Sequence, residues 1–328
     1  MGDVAALAGV SVGTVSNVLN GRGNVSAKRR AQVENAITSL GFSGSLLAKG
    51  MRSQRYPVVG LCVPNATSSN FVAMSDALEA HAAGAQFELV QVITRHDAVR
   101  EAARIDRLIA SRASGVLILP TLHTGDLLQR LKAGAMPTVV INRFVEDAGE
   151  IDQVLVDHRA ALKRATSDMI SWGYDHLIFV TQYPGYGGAQ QNIAGVRDAI
   201  ADSGREIPLH ILKCGQVQAP YGEALAEVLK GRSGRTALIT GSSLLAAWSI
   251  EALREQGLRI PTDIGVLCAE EPVWARATWP SLSCIQQPTA ELAQIAWDLL
   301  ARRMSGSEGP PVTIRCDARI NFRESVIS

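Results

Sequence analysis

Ser16, Asn17 and Asn20, together with Val12 and Gly13, fall on the side of a helical segment that its apolar residues leave free. A small polar surface of this kind is suited to hydrogen bonding with another molecule. Val15, Val18 and Leu19 form the opposite, apolar side at helical spacing, and Ser11 stands where an N-cap belongs, its hydroxyl able to accept an orphan backbone N–H. Val4, Leu7, Ala8 and Val10 give a preceding apolar edge, and Gly9 punctuates the join. Two short helices joined in this way predict a helix-turn-helix whose second helix can lie in the major groove of DNA. An ordinary helical hairpin fits the same pattern.

Other candidate chemistry is sparse. The chain has no G-x-x-x-x-G-K-[ST] phosphate loop, no H-E-x-x-H and no G-x-S-x-G elbow. Asp157-His158 could act as an acid–base pair, but no nucleophile accompanies it and a helix-capping Asp is the stronger reading. Gly185-Tyr186-Gly187-Gly188 lacks dinucleotide spacing and reads as a mobile loop. Cys62, Cys214, Cys268, Cys284 and Cys316 are widely spaced without a C-x-x-C pair, which predicts buried reduced thiols and no metal site. No cofactor is implied.

A length of 328 residues suggests two or three domains, and 47% hydrophobic residues with 5% aromatics suits α/β cores. The N-terminus lacks a signal-peptide pattern and no apolar run is long enough to span a bilayer, so the expected location is the cytoplasm, away from membranes. The net charge of +1 is unevenly spread: residues 1–56 carry seven Lys and Arg against Asp3 and Glu34, and the remainder is acidic. A basic head on an acidic body fits a DNA-binding module joined to a body with another task, although a solvated surface would show the same charge.

Ser26 is placed to cap a third helix with Val33, Ala36, Ile37 and Leu40 on its buried face and Gly41 beyond its end. The basic first turn, Lys28-Arg29-Arg30, opposes the helix dipole, a cost that a nearby phosphate would offset. Residues 42–56 read as a linker holding a short, weak helix. From Pro57 onward, apolar strands such as Val58–Val63, Gly115–Leu119, His176–Val180 and Thr236–Thr240 alternate with helices. This rhythm predicts two α/β subdomains with parallel sheets, and a ligand between them outside the carboxyl ends of the strands.

The run Asp3-Val4-Ala5 … Ala8-Gly9-Val10-Ser11 … Thr14-Val15-Ser16 … Val18-Leu19-Asn20-Gly21, with Val25-Ser26 and Leu40-Gly41-Phe42, resembles the lactose-repressor (LacI/GalR) family of bacterial regulators. The similarity continues through Pro137–Arg143, Pro261–Ile264 and Gln287-Pro288. The resemblance implies a helix-turn-helix head (1–42), a hinge (43–56) and a periplasmic-binding-protein-like body (57–328). In that body, 57–156 with 289–316 and 157–288 with 317–328 form the two subdomains.

It also implies site residues. Val12, Gly13 and Asn17 match base-reading positions: Asn can bond an adenine edge, Val can touch a thymine methyl, and Gly permits close approach. Thr14, Ser16, Asn20, Asn24 and Ser26 match phosphate-facing positions, with Ser11 and Lys28 beside them, and Met51 stands where an apolar wedge enters the minor groove. Phe71, Thr121, Asn142, Asn192, Val217, Ser242 and Glu270 match pocket positions.

The implied function is a ligand-responsive repressor of catabolic genes, without enzyme activity. Its partners would be a palindromic operator, a small effector and a second copy of the chain. The alternatives are a small-molecule-binding module or an α/β enzyme.

Departures from the family pattern carry information. Gly44 replaces the usual hinge proline, Gly50 loosens the same helix, and a few residues that normally precede Asp3 are missing. Asn192 replaces an effector-gripping arginine with Gln190 nearby, Ser242-Ser243 replaces Asn-Asp, and Glu270-Glu271 replaces Asp-Asp. Loss of the arginine disfavours strongly anionic ligands. A neutral sugar or polyol, or a cation held by Glu270, is expected, with Arg143 or Arg95 able to approach. Ser328 ends the chain without apolar heptads, so a dimer is expected.

Overall fold

The computed structural model describes residues 1–19, 25–40, 56–121, 125–143, 145, 151–185, 187–215, 219–232 and 234–327. Two compact units emerge, Met1–Pro57 and Val58–Ser328. The first holds α1 (Gly2–Ala8), α2 (Val12–Leu19) and α3 (Ala27–Ser39). Gly9 ends α1 in the left-handed region at φ 64°, where a side chain would be strained, and the Val10 N–H bonds Ala5 O at 3.0 Å. That cap turns the chain sharply enough for Val4, Ala8, Val15, Val18 and Val33 to share one small core. Gly41, expected beyond the end of α3, and Gly44, Gly50 and Met51, on which the hinge expectations rest, lie outside the described residues.

The second unit contains two six-stranded sheets. The first is built from β1 (Tyr56–Val63), β2 (Glu88–Ile93), β3 (Ala113–Ile118), β4 (Thr138–Ile141), β5 (Asp152–Val156) and β11 (Thr313–Cys316), in the order β11-β5-β4-β3-β1-β2. The second is built from β6 (His176–Thr181), β7 (Leu209–Lys213), β8 (Thr236–Thr240), β9 (Gly265–Cys268), β10 (Ser283–Gln286) and β12 (Arg319–Asn321), in the order β12-β10-β9-β8-β6-β7. Pairing is parallel apart from β12, which runs antiparallel to β10 at one edge. The chain crosses between the sheets three times: after β5, after β10 and after β11. Continuously apolar strands such as Leu177–Val180, fully buried, demand cover on both faces, and helices supply it.

In the first sheet's layers these helices are α4 (Ser69–Gly84), α5 (Ala98–Ala110), α6 (Gly125–Ala133) and α11 (Thr289–Met304). In the second's they are α7 (His158–Ser171), α8 (Gly187–Ser203), α9 (Ala219–Lys230) and α10 (Ser243–Glu255). Helix α11 is fastened to β5 by Arg303, whose Nε and Nη2 reach the two Asp152 carboxylate oxygens at 2.7 and 2.9 Å. Helices α7 and α8 approach so closely at Gly195 that a Cβ there would lie 2.3 Å from Arg159 O. Gly187 and Gly188 open α8, which corrects the reading of these two residues as part of a mobile loop; Tyr186 lies outside the described residues.

Candidate DNA-reading helix and effector cleft

On the head, α2 begins with a working cap: the Thr14 N–H donates to Ser11 Oγ at 3.1 Å, and the Ser11 and Thr14 hydroxyls lie 2.9 Å apart. The outer face of α2 beyond this cap is open to solvent. Asn17 is exposed, Val12 is 50% exposed, and a Cβ on Gly13 would meet only Ser11 Oγ, at 3.7 Å. Val12, Gly13 and Asn17 therefore project from one small helix with room for a base edge to approach.

Ser26 is the N-cap residue of α3 but makes no side-chain cap bond, and Ser26 and Lys28 are both exposed. The helix thus offers its first N–H groups and a basic turn to solvent, an arrangement that favours an anion. Ser16 differs from the expectation for a phosphate-facing residue. It is only 3% exposed and faces the three-helix core, because it sits next to Val15 on the inner side of α2. Asn20 and Asn24 lie outside the described residues.

In the body, a cavity of about 220 Å³ opens at the carboxyl ends of the strands of both sheets. Phe71, Asn142, Asn192, Ser242 and Glu270 all line it. Asn142, Ser242 and Glu270 follow strands β4, β8 and β9, Phe71 lies in the first turn of α4, and Asn192 lies in the second turn of α8. Asn142 follows β4 with φ 54°, a left-handed conformation that Asn tolerates better than most residues. From there its Nδ2 donates to Gln287 Oε1 at 3.0 Å, and its Oδ1 lies 3.1 Å from His158 Nε2. Ser242 caps α10, accepting the Leu245 N–H.

Glu270 spans the two subdomains. Its Oε1 accepts from the Ser68 hydroxyl at 2.5 Å, and its Oε2 accepts from the Ser243 N–H at 3.0 Å. It acts first as a latch across the cleft, which leaves it less available to grip a cationic ligand. Glu271 does not line this cavity; it pairs with Arg323 and accepts from Asn321 at 2.8 Å.

Thr121 also lies elsewhere. Its N–H and hydroxyl donate to the two oxygens of Glu101 at 2.8 and 3.0 Å, and both residues are buried. Burial pushes the Glu101 carboxyl up to about 7, against the opposing pull of the Thr121 hydrogen bonds and the Arg143 charge. The carbonyl of Pro120, next to Thr121, holds the Arg143 guanidinium. Thr121 therefore belongs to a buried support behind Arg143. Val217 lies outside the described residues, and Arg95 is not among the residues lining the 220 Å³ cavity.

His96, His158 and Tyr183 are among the lining residues that sequence spacing does not mark as part of the cleft. The rings of His96 and Tyr183 stack across the cleft mouth, centroids 4.4 Å apart. His96 has φ 59°, so backbone strain is held at this mouth. Desolvation lowers both histidines to about 4, with Arg143 adding to the effect at His96, so both rings are neutral near pH 7. A histidine directly after a capping Asp is the one sequence signal, and it points to His158. Asp157 does cap α7, accepting the Ala160 N–H at 3.0 Å.

Residues 56–313 match the model of periplasmic binding proteins and the sugar-binding domain of the LacI family, and residues 1–45 match that of bacterial regulatory proteins of the lacI family. The chain belongs to the LacI family.

Curated LacI-family relatives span its length. The HTH-type transcriptional regulator AscG of Escherichia coli (strain K12) is 27% identical, covering 99% of this chain and 98% of its own. The ribose operon repressor of the same strain is 28% identical, covering 93% of each chain. Among solved structures, the lac repressor dimer bound to operator and an anti-inducer superposes with a TM-score of 0.87 at 20% identity, over 99% of this chain and 98% of that one. The fold is thus that of the LacI regulators, and members of this family regulate transcription. No helix among the described residues is long and apolar enough to cross a membrane.

Proposed function

We propose that this LacI-family regulator represses catabolic genes as a homodimer on a palindromic operator, in the cytoplasm, and that a small neutral effector in the body cleft changes its operator affinity. One observation carries the reading: the chain combines an uncommitted, exposed reading face on α2 with a cavity lined by residues from both sheets. Val12, Gly13 and Asn17 read bases, and Ser11, Thr14, Asn20, Asn24, Ser26 and Lys28 set position on the phosphates. Ser16 acts chiefly in the core, and Met51 wedges the central base step.

In the cleft, Phe71 offers a ring face, and Asn142, Asn192 and Ser242 offer polar groups to a sugar or polyol. The printed names of relatives, among them a ribose operon repressor and a cellobiose-bound regulator, support that ligand class. Val72, Leu244, Val273 and Trp279 are exposed apolar side chains of the body, which supports self-association. Effector and operator then bias one equilibrium reciprocally, through the latch at Glu270 and the stack at His96.

The test is selection of sites from random duplex DNA, repeated with Met51→Ala. The expected outcome is a palindrome with a fixed central step whose recovery is weakened by the substitution. Anisotropy on that site, with and without neutral sugars, then reads the coupling. Purely salt-dependent, sequence-neutral binding would overturn the reading.

A further inference from the structure

Helix α8 has a second hollow on the side away from the cleft. With the edge strand β7 it forms a groove of about 590 Å³, larger than the 220 Å³ cavity of the cleft and within the usual range for small ligands. Pro184, Ile193, Ala194 and Ile211 give the groove an apolar floor, and Arg197 and Lys213 line it as cations. Alternation along β7 accounts for the strand's share. Leu212 enters the core on the other face of the sheet, so Ile211 and Lys213 turn together toward α8. Because β7 ends the strand order of its sheet, no neighbouring strand closes the groove on that side.

The charges of the groove do not cancel. Asp198 also lines it, but its two oxygens accept from Arg159 Nε and Nη2 at 2.6 and 2.9 Å. Arg197 and Lys213 are exposed, and neither side chain has a hydrogen-bond or ion-pair partner among the described residues. Two uncompensated cations beside an apolar floor are complementary to a molecule that joins an anionic group to an apolar body. We infer that this groove is a second ligand site, separate from the cleft, for a small amphiphilic anion of the class of medium-chain or aryl carboxylates. The carboxylate sits against Arg197 and Lys213, and the apolar part lies on Ile193, Ala194 and Ile211. A peptide strand added to β7 fits less well, since the strand is only five residues long and carries Lys213, features that blunt an edge. Helix α8 serves both sites: Gly188 and Asn192 line the cleft, whereas Ile193 and Arg197 line the groove. The inference does not rest on what the cleft binds.

The experiment titrates the full chain calorimetrically with octanoate, phenylpropanoate, acetate and octanamide. Arg197→Gln, Lys213→Gln and, in the cleft, Asn192→Leu are run alongside. Octanoate or phenylpropanoate should bind at least about 10-fold more tightly than acetate, which lacks the apolar body, and than octanamide, which lacks the charge. Arg197→Gln and Lys213→Gln should each weaken that probe about 10-fold, and Asn192→Leu should leave it unchanged. Both glutamine variants should melt with the parent, because the replaced side chains are exposed. Failure of both longer carboxylates to bind would overturn the site. So would acetate binding as tightly as octanoate, a probe indifferent to Arg197→Gln and Lys213→Gln, or a probe displaced by Asn192→Leu. Operator selection and sugar titration report on the cleft independently, so either reading can fail without the other.

Discussion

The head and the cleft hold their polar groups in opposite ways. On α2, Val12, Gly13 and Asn17 stand in water, their hydrogen-bonding needs met by solvent, while a handful of small apolar side chains beneath them hold the fold. In the cleft, Asn192, His158 and Glu270 are withdrawn from solvent between two sheets, and each unmatched atom weighs against the folded state. Recognition and stability are therefore separable in the head and entangled in the body. Substitutions on the reading face should change affinity alone, whereas substitutions around the cleft should change binding and melting together.

The largest effect should come from putting a charge into the head's core. Val33 is fully buried, and Val33→Asp should cost several kcal/mol, enough to unfold the three helices and abolish operator binding. Calorimetry should show the transition of the body unchanged, because each unit has its own core. Loss of both transitions would break the separation.

A smaller effect concerns the entangled side. Burial raises Glu101 to about 7, so the folded body keeps a proton there that the unfolded chain gives up near pH 4.5. Its contribution to stability therefore falls as pH rises between those values, by up to about 3 kcal/mol. His158 and His96, lowered to about 4, act in the opposite sense, losing stability as pH falls from 6.5. Urea midpoints of Glu101→Gln should consequently climb more steeply from pH 4.5 to 6.5 than those of the parent. Equal slopes would show that Glu101 does not titrate in this window.

On the reading face, Asn17→Ala should weaken the selected operator by about 1–3 kcal/mol, relaxing preference at one base pair, and leave the melting of the head within about 0.5 kcal/mol. A stability loss as large as the affinity loss would show that Asn17 has a structural share.

The same contrast explains what could be read beforehand. The head is written in local spacing: the cap at Ser11 and the apolar positions Val15 and Val18 lie within one helix and its turn, so periodicity reveals them. The alternation of buried strands with helices likewise predicts two parallel-sheet subdomains. The cleft depends on contacts far apart in the chain, such as Ser68 with Glu270 and Asn142 with Gln287, and no periodicity encodes those.

Thr121 follows a strand just as Asn142 does. It leaves the cavity because Glu101, one acidic residue in a charged helix, turns inward and captures it. His158 was visible only as the neighbour of a capping aspartate, since the direction of its ring depends on how α7 leaves β5. Spacing alone leaves Ser16 as a surface hydroxyl, and it is the crossing of the three helices that sets which side of α2 is covered.

Among the described residues the edge strands β11 and β12 come last in sequence, yet they complete different sheets. During synthesis the first five strands of the first sheet leave the ribosome long before Thr313, and must wait with an open edge while the second sheet is still being made. Neither half can finish folding ahead of the other. A nascent chain stalled short of β11 would expose unpaired backbone on both sheets at once, leaving it open to aggregation and to chaperones until Thr313–Asn321 emerge.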